Sequence, residues 1–181
     1  MVAKAKPSTD QSSFFDDPVD RVEVRGEVAE RVAGSRETEA PGALSVVMYC
    51  DGGSRGNPGP AAIGAVVFDA APGEAVVLSE VSECIGIATN NVAEYKAMLA
   101  GLDAAIALGA TMITVRADSK LLIEQLKGNY KVKHPNLRPL HADGLRKLRH
   151  FDQVVLQHVR REFNTEADAL VNQALDAAGK R

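Results

Sequence analysis

Only two cysteines occur in the 181 residues. Neither Cys50 nor Cys84 has a C-x-x-C partner or a histidine at metal-ligand spacing, so neither a zinc site nor a disulfide framework is suggested. Both sit in apolar, strand-like runs, so buried thiols are expected. Long apolar runs are equally scarce. The longest, Ala61 to Phe68 and Ala104 to Ala110, fall far short of the roughly 20 residues a membrane helix needs. The N-terminus has no signal-peptide apolar stretch. These absences lead us to expect a cytoplasmic protein with no membrane partner. No internal repeat is visible. What is present, 45% hydrophobic and 25% charged residues, suits one domain with a tail and is enough to bury a core.

The formal net charge of -3 conceals a segregation. Residues 1–43 carry 6 basic and 9 acidic side chains, residues 44–115 carry 2 and 7, and residues 116–149 carry 9 and 3. An acidic half therefore precedes a basic stretch. Lys and Arg in such a stretch can displace counterions from a nucleic-acid backbone, or they can form a solvated helix face. Composition alone does not choose between the two.

Residues 1–43 hold scattered charge, Pro7, Pro18, Pro41, Gly34, Gly42 and few large apolar groups, too little burial to offset chain entropy. We read them as a disordered charged tail, with at most a transient helix over Val19 to Val32, and residues 44–181 as the folded domain. Strands are expected at Ser45 to Cys50, Ile63 to Asp69 and Ala75 to Ile85, the last two joined by a Pro72-Gly73 turn. A helix follows over Val92 to Leu108, with apolar Val92, Tyr95, Leu99, Leu102 and Ile106 on one face and Gly109 at its end. Then come a strand at Met112 to Ala117, a short helix at Leu121 to Leu126 and a Pro-containing connection over Gly128 to Pro139. A helix at Leu140 to His150, a strand at Val154 to Val159 and a helix at Thr165 to Ala178 complete the chain. The order predicts an α/β fold: a five-stranded mixed sheet, beginning as a three-strand antiparallel meander, with helices on both faces.

Four carboxylates stand at strand and helix junctions. Asp51 directly follows the first strand and opens the Gly-rich turn Asp51-Gly52-Gly53-Ser54-Arg55-Gly56-Asn57-Pro58-Gly59-Pro60, where backbone can approach a ligand closely. Asp118 directly follows the fourth strand, and Glu94 and Asp168 begin helices. Each has an ordinary alternative: Asn91 and Glu94, or Thr165 and Asp168, at capping-box spacing, Asp118 as a helix cap, and Asp51 in a plain hairpin turn. Together they say more. Parallel first and fourth strands would set Asp51 beside Asp118, with two helix starts adding Glu94 and Asp168. Four convergent carboxylates repel unless cations neutralise them, and all-oxygen ligands suit Mg²⁺ or Mn²⁺ rather than zinc. Two such ions support phosphoryl transfer.

The segments Tyr49-Cys50-Asp51-Gly52-Gly53-Ser54 with Gly56-Asn57-Pro58-Gly59, Thr89-Asn90-Asn91-Val92-Ala93-Glu94, Ala117-Asp118-Ser119 and Asn164-Thr165-Glu166-Ala167-Asp168-Ala169-Leu170 together resemble type 1 ribonuclease H, over nearly all of residues 45–178. The resemblance implies the ribonuclease H-like fold and an endonuclease that hydrolyses the RNA strand of RNA/DNA hybrids, leaving 5′-phosphate and 3′-hydroxyl ends. It implies two Mg²⁺ ions, with Mn²⁺ as a substitute, held by Asp51, Glu94, Asp118 and Asp168. It also implies a substrate-binding set of Gly52, Asn57, Thr89, Asn90, Asn91 and Ser119, in which the three Asn read ribose 2′-hydroxyls and Thr89 supports a DNA-strand phosphate contact. A monomer is expected.

Two features depart from well-known members. The loop before the last aspartate is short, and within His158 to Asn164 we assign the assisting role to Arg161 rather than to His158, which ends a strand. The long basic protrusion of some relatives is reduced to Lys127 to Arg138, with Tyr130, Lys131, Lys133 and His134. The competing readings are a non-catalytic hybrid-binding module, which the intact carboxylates oppose, and a DNA nuclease of the wider fold, which the ribose-reading asparagines oppose. The close of the chain soon after its last helix carries an expectation of no second enzymatic domain. Deleting residues 1–43 is expected to leave the cleavage activity intact, measured on the same substrate as the full chain.

Overall fold

The computed structural model describes residues 43–179. The tail and the Val19 to Val32 helix thus lie outside the described residues, apart from Ala43. Strands β1 (Leu44–Ser54), β2 (Gly59–Asp69), β3 (Val77–Ala88), β4 (Ala110–Ala117) and β5 (Gln153–His158) form one sheet in the order β3-β2-β1-β4-β5. β1 to β3 pair antiparallel, whereas β4 lies parallel to β1 and β5 parallel to β4. Helices α1 (Asn90–Ala107), α2 (Lys120–Leu126), α3 (Leu137–Leu148) and α4 (Thr165–Ala178) complete the α/β architecture. Among the described residues no helix is long and apolar enough to cross a membrane.

The two-residue period of β1 sorts its side chains onto two faces. Val46, Met48 and Cys50 meet Ala97, Met98 and Leu102 of α1, with Leu122 and Ile123 of α2 and Leu148 of α3 in the same cluster. Val47 and Tyr49 point the other way, toward Ala167 and Leu170 of α4. Helices thus cover both faces.

β1 and β2 run longer than their apolar cores suggest. The Gly-rich segment after Cys50 continues the strand, pairing Asp51 with Gly64, Gly52 with Ile63 and Gly53 with Ala62, so Asp51 lies inside β1 rather than after it. Backbone pairing needs no side chain, which is why an apolar-run reading stops at Cys50. α3 begins before Pro139, which occupies its first turn, where the missing N–H is no loss. The segment Arg161 to Phe163 forms a single 3₁₀ turn that periodicity did not reveal. Cys50 is buried, but Cys84 is exposed. β3 is an edge strand: its Leu78, Val81 and Ile85 pack against the α1-side core, while Ser82 and Cys84 face α4, donating to the Leu170 and Ala174 carbonyls.

Two glycines let the helices reach the sheet. A Cβ on Gly52 would lie 2.1 Å from the carbonyl carbon of Ala93 in α1, and one on Gly64 would lie 2.4 Å from the carbonyl oxygen of Ala167 in α4. Both obstacles are backbone and cannot rotate aside. Gly53, in contrast, would meet only a methyl of Val171 at 3.1 Å. Gly52→Ala is therefore expected to cost roughly 1–3 kcal/mol or more through overpacking, and Gly53→Ala less than half as much, as read from urea unfolding midpoints.

Candidate active site

The last parallel rung of β1 and β4 pairs Cys50 with Ala117, so the next residues, Asp51 and Asp118, emerge side by side at the same sheet end. Where α1 touches Gly52, the residue after Ala93 is Glu94. Where α4 touches Gly64, the residue after Ala167 is Asp168. All four carboxylates line one cleft of roughly 320 Å³, together with Asn90, Ser119 and Arg161. β-sheet register and two close helix approaches, rather than local sequence, bring the four together.

Crowding these acids has an electrostatic consequence. Burial first, then the charges of Asp118 and Asp168, push the Asp51 carboxyl up to about 6, against the opposing pull of the Gly52 N–H and the Arg161 guanidinium. Burial likewise drives Glu94 up to about 7, with Asp51 and Asp118 adding to it and hydrogen bonds from Ser119 and Asn90 working against it. Beneath them the Cys50 thiol is pushed far above its ordinary range by burial and by the same carboxylates, so it stays protonated and inert.

The protein supplies donors to these oxygens. Asn90 Nδ2 donates to Glu94 Oε1 at 3.0 Å and Ser119 Oγ to Glu94 Oε2 at 2.5 Å. Arg161 donates to Asp168 Oδ1 at 2.6 Å. Asn57 Oδ1 accepts from the Asn90 backbone N–H at 3.2 Å, which ties the Gly-rich turn to the start of α1. Gly52 stands in the cleft lining beside Asp51.

The capping alternatives resolve against the carboxylates. Thr89, not Asn91, caps α1, its side chain accepting from Val92 N; Asn91 is the second helical residue and exposed. Glu94 therefore lies past the capping position. Ser119 rather than Asp118 caps α2. Thr165 is the first helical residue of α4 and turns its hydroxyl to Glu166, so no capping box involves Asp168. His158 closes β5 with its ring 3.2 Å from the Asp118 carbonyl oxygen. Arg161 reaches the cleft; His158 does not line it.

Two asparagines escaped the sequence reading. Asn164, fully buried, donates to the Cys50 carbonyl at 3.1 Å and to Asp118 Oδ1 at 3.4 Å, so one side chain links the ends of β1 and β4. Its Oδ1 has no hydrogen-bond partner among the described residues, a cost of about 1–3 kcal/mol accepted for that link. In the sequence Asn164 stands only as the first residue of the last motif, and its partners are distant along the chain. Asn172 donates to Asp168 Oδ2 at 2.8 Å; its place four residues after Asp168, one turn along the same helix, was the signal available.

Among the described residues no group of three or more acidic, His or Cys side chains is already gathered as an ion cage. The Glu94 oxygens are instead turned to Asn90 and Ser119, and those of Asp168 to Arg161 and Asn172. The donor chemistry nonetheless fits hard divalent cations. The cleft lining has four carboxylates and neither histidine nor cysteine.

Residues 49–174 match the family model described as Reverse transcriptase-like. A bifunctional protein of Mycobacterium tuberculosis is 50% identical over 137 residues, covering 76% of this chain. The chain spans only 37% of that curated relative. The solved N-terminal RNase H domain of the same mycobacterial protein superposes with a TM-score of 0.70 and is covered in full, with 74% of this chain matched. RNase H1 of the archaeon Halobacterium salinarum gives a TM-score of 0.70 at 44% identity, over 74% of this chain and 98% of that one. LC11-RNase H1, solved in complex with an RNA/DNA hybrid, gives 0.68 at 40% identity, over 74% and 99%.

Asp51 and Glu94 hold their protons more tightly folded than unfolded. They favour the folded state fully below their ordinary values of 3.8 and 4.5, and that contribution is lost as pH rises through about 6 and about 7. Asp51→Asn, which removes one buried charge, is thus expected to stabilise the ion-free protein at pH 8 by about 1–3 kcal/mol. The gain should disappear near pH 4, as followed by thermal melting in chelator.

Proposed function

The chain belongs to the Reverse transcriptase-like family and, within it, to type 1 ribonuclease H, and on that premise we propose that it is an endonuclease hydrolysing the RNA strand of RNA/DNA hybrids. The observation that carries the reading is the convergence of Asp51, Glu94, Asp118 and Asp168 in one cleft. A relative named Ribonuclease HI and a neighbour solved with bound hybrid support it.

In this reading Asp51, Glu94, Asp118 and Asp168 would hold two Mg²⁺ ions, for which Mn²⁺ would substitute. Bound there, the ions supply a more acidic water and charge compensation for the leaving oxygen. A water oxygen bonds to phosphorus, the P–O3′ bond breaks and O3′ takes up a proton, leaving a 5′-phosphate and a 3′-hydroxyl. The protein's own groups orient the strand. Asn57, Asn90 and Asn91 stand at the joined ends of the Gly-rich turn and α1, where they meet ribose 2′-hydroxyls in a shallow minor groove. Thr89 faces a DNA-strand phosphate, Gly52 admits the backbone close to Asp51, and Ser119 steadies Glu94 beside the RNA strand. Arg161, always charged, draws on the released phosphate end. One chain supplies the whole cleft, so a monomer suffices. We place the enzyme in the cytoplasm.

Labelled RNA/DNA hybrid, duplex DNA and duplex RNA are to be incubated with the wild type and Asp51→Asn in Mg²⁺, Mn²⁺ or chelator. We expect metal-dependent cutting of the hybrid's RNA strand alone. The variant should lose roughly 10²-fold or more, the scale of deleting one charge-stabilising group at a reacting centre. A folded wild type that binds hybrid but cuts it in no metal would replace this reading with a binding module.

A further inference from the structure

Asp168 is gripped at both oxygens by side chains from different elements. Arg161, on the 3₁₀ turn, donates to Oδ1 at 2.6 Å, and Asn172, one turn further along α4, donates to Oδ2 at 2.8 Å and to the Asp168 carbonyl at 3.0 Å. Both grips line the carboxylate cleft. We propose that Arg161 is a resident counter-cation of this cleft: in the ion-free protein it occupies Asp168, an entering divalent cation must displace it, and Asn172 holds the carboxylate in place through the exchange.

The inference rests on the reading that the cleft binds divalent ions. The two grips differ in ways that assign their roles. Arg161 is charged, and its side chain is 78% exposed on a three-residue turn with no buried residue. It can therefore swing away without disturbing the core. A guanidinium and a divalent cation on the same oxygen repel, so one excludes the other. Asn172 is neutral and rigidly spaced from Asp168 by the helix, so its bond survives when a cation takes the other oxygen. An exposed pair of this kind is weak, which suits a partner that has to leave.

Mn²⁺ is titrated calorimetrically into hybrid-free full-length protein, with melting temperatures taken in chelator. Arg161→Ala is expected to bind Mn²⁺ about two- to fivefold more tightly, the ratio that an exposed ion pair sustains. In an Asp168→Asn background the same substitution should change the affinity by less than half as much, because the competition passes through that carboxylate. Asn172→Ala, which alters no charge, should weaken Mn²⁺ binding about twofold or more while leaving the ion-free melting temperature unchanged. Unaltered or weaker binding by Arg161→Ala overturns the counter-cation, and so does equal tightening with and without Asp168, which would mark a long-range charge effect. Unaltered binding by Asn172→Ala removes its positioning role. A wild type that takes up no Mn²⁺ would instead sink the ion-binding reading beneath the proposal.

Discussion

Two contacts of helix backbone with glycines of the sheet lie under the carboxylate cleft. At Gly52 the β1 chain passes so near the Ala93 peptide that a single methyl group would collide with it, and at Gly64 β2 does the same under Ala167. Each contact fixes a helix one residue from an acidic side chain, Glu94 in one case and Asp168 in the other. Strand register does the remaining work, because the pairing of Cys50 with Ala117 puts Asp51 and Asp118 on one edge. The site is thus a product of packing geometry: rigid elements hold the carboxylates, and none depends on a long loop. Such placement is what a constellation needing sub-ångström geometry requires.

The same packing concentrates negative charge where water is partly excluded, and the neighbouring residues moderate it. Ser119 and Asn90 meet Glu94, Arg161 and Asn172 meet Asp168, and Asn164 meets Asp118. These donors do not offset burial, which, with the neighbouring carboxylates, keeps the Asp51 and Glu94 carboxyls well above their ordinary range. A cleft so balanced disfavours the ionisation of its own acids, a perturbation of the kind that gathers at functional sites.

The strongly patterned parts of the fold were legible in the sequence. α4 spans Thr165 to Ala178 as its periodicity indicates, and the strand order follows from a meander followed by parallel crossovers. What stayed hidden depends on partners distant in sequence. Asp51 read as post-strand because glycines carry no strand propensity, yet β2 pairs with them. Asn91 looked like the cap of α1, but Thr89 takes that place once Asn57 has bonded the Asn90 N–H. Cys84 looked buried because its neighbours are apolar, although it lies on an edge strand. Asn164 could not be read at all, since both its acceptors lie more than 40 residues away. The four carboxylates were recognisable only as a set.

Charge segregation takes a more specific form in three dimensions. Part of the basic excess over residues 116–149 is spent internally, with Lys127 facing Glu124, Arg146 facing Asp143 and Lys147 facing Asp103. Lys131 and Lys133, on the connection before α3, have no ion-pair partner among the described residues. That connection is not loose. Gln125, almost fully buried, accepts from the Tyr95 hydroxyl at 2.8 Å and donates to the Lys131 carbonyl at 3.4 Å, while His141 contacts the Gln125 carbonyl at 3.1 Å. Tyr95 follows Glu94 on α1. One helix therefore carries a cleft carboxylate and, through the next residue and Gln125, anchors the backbone at Lys131. The acidic cleft and the basic connection are held in a fixed relation by α1, which turns a compositional asymmetry into a defined arrangement of opposite charges.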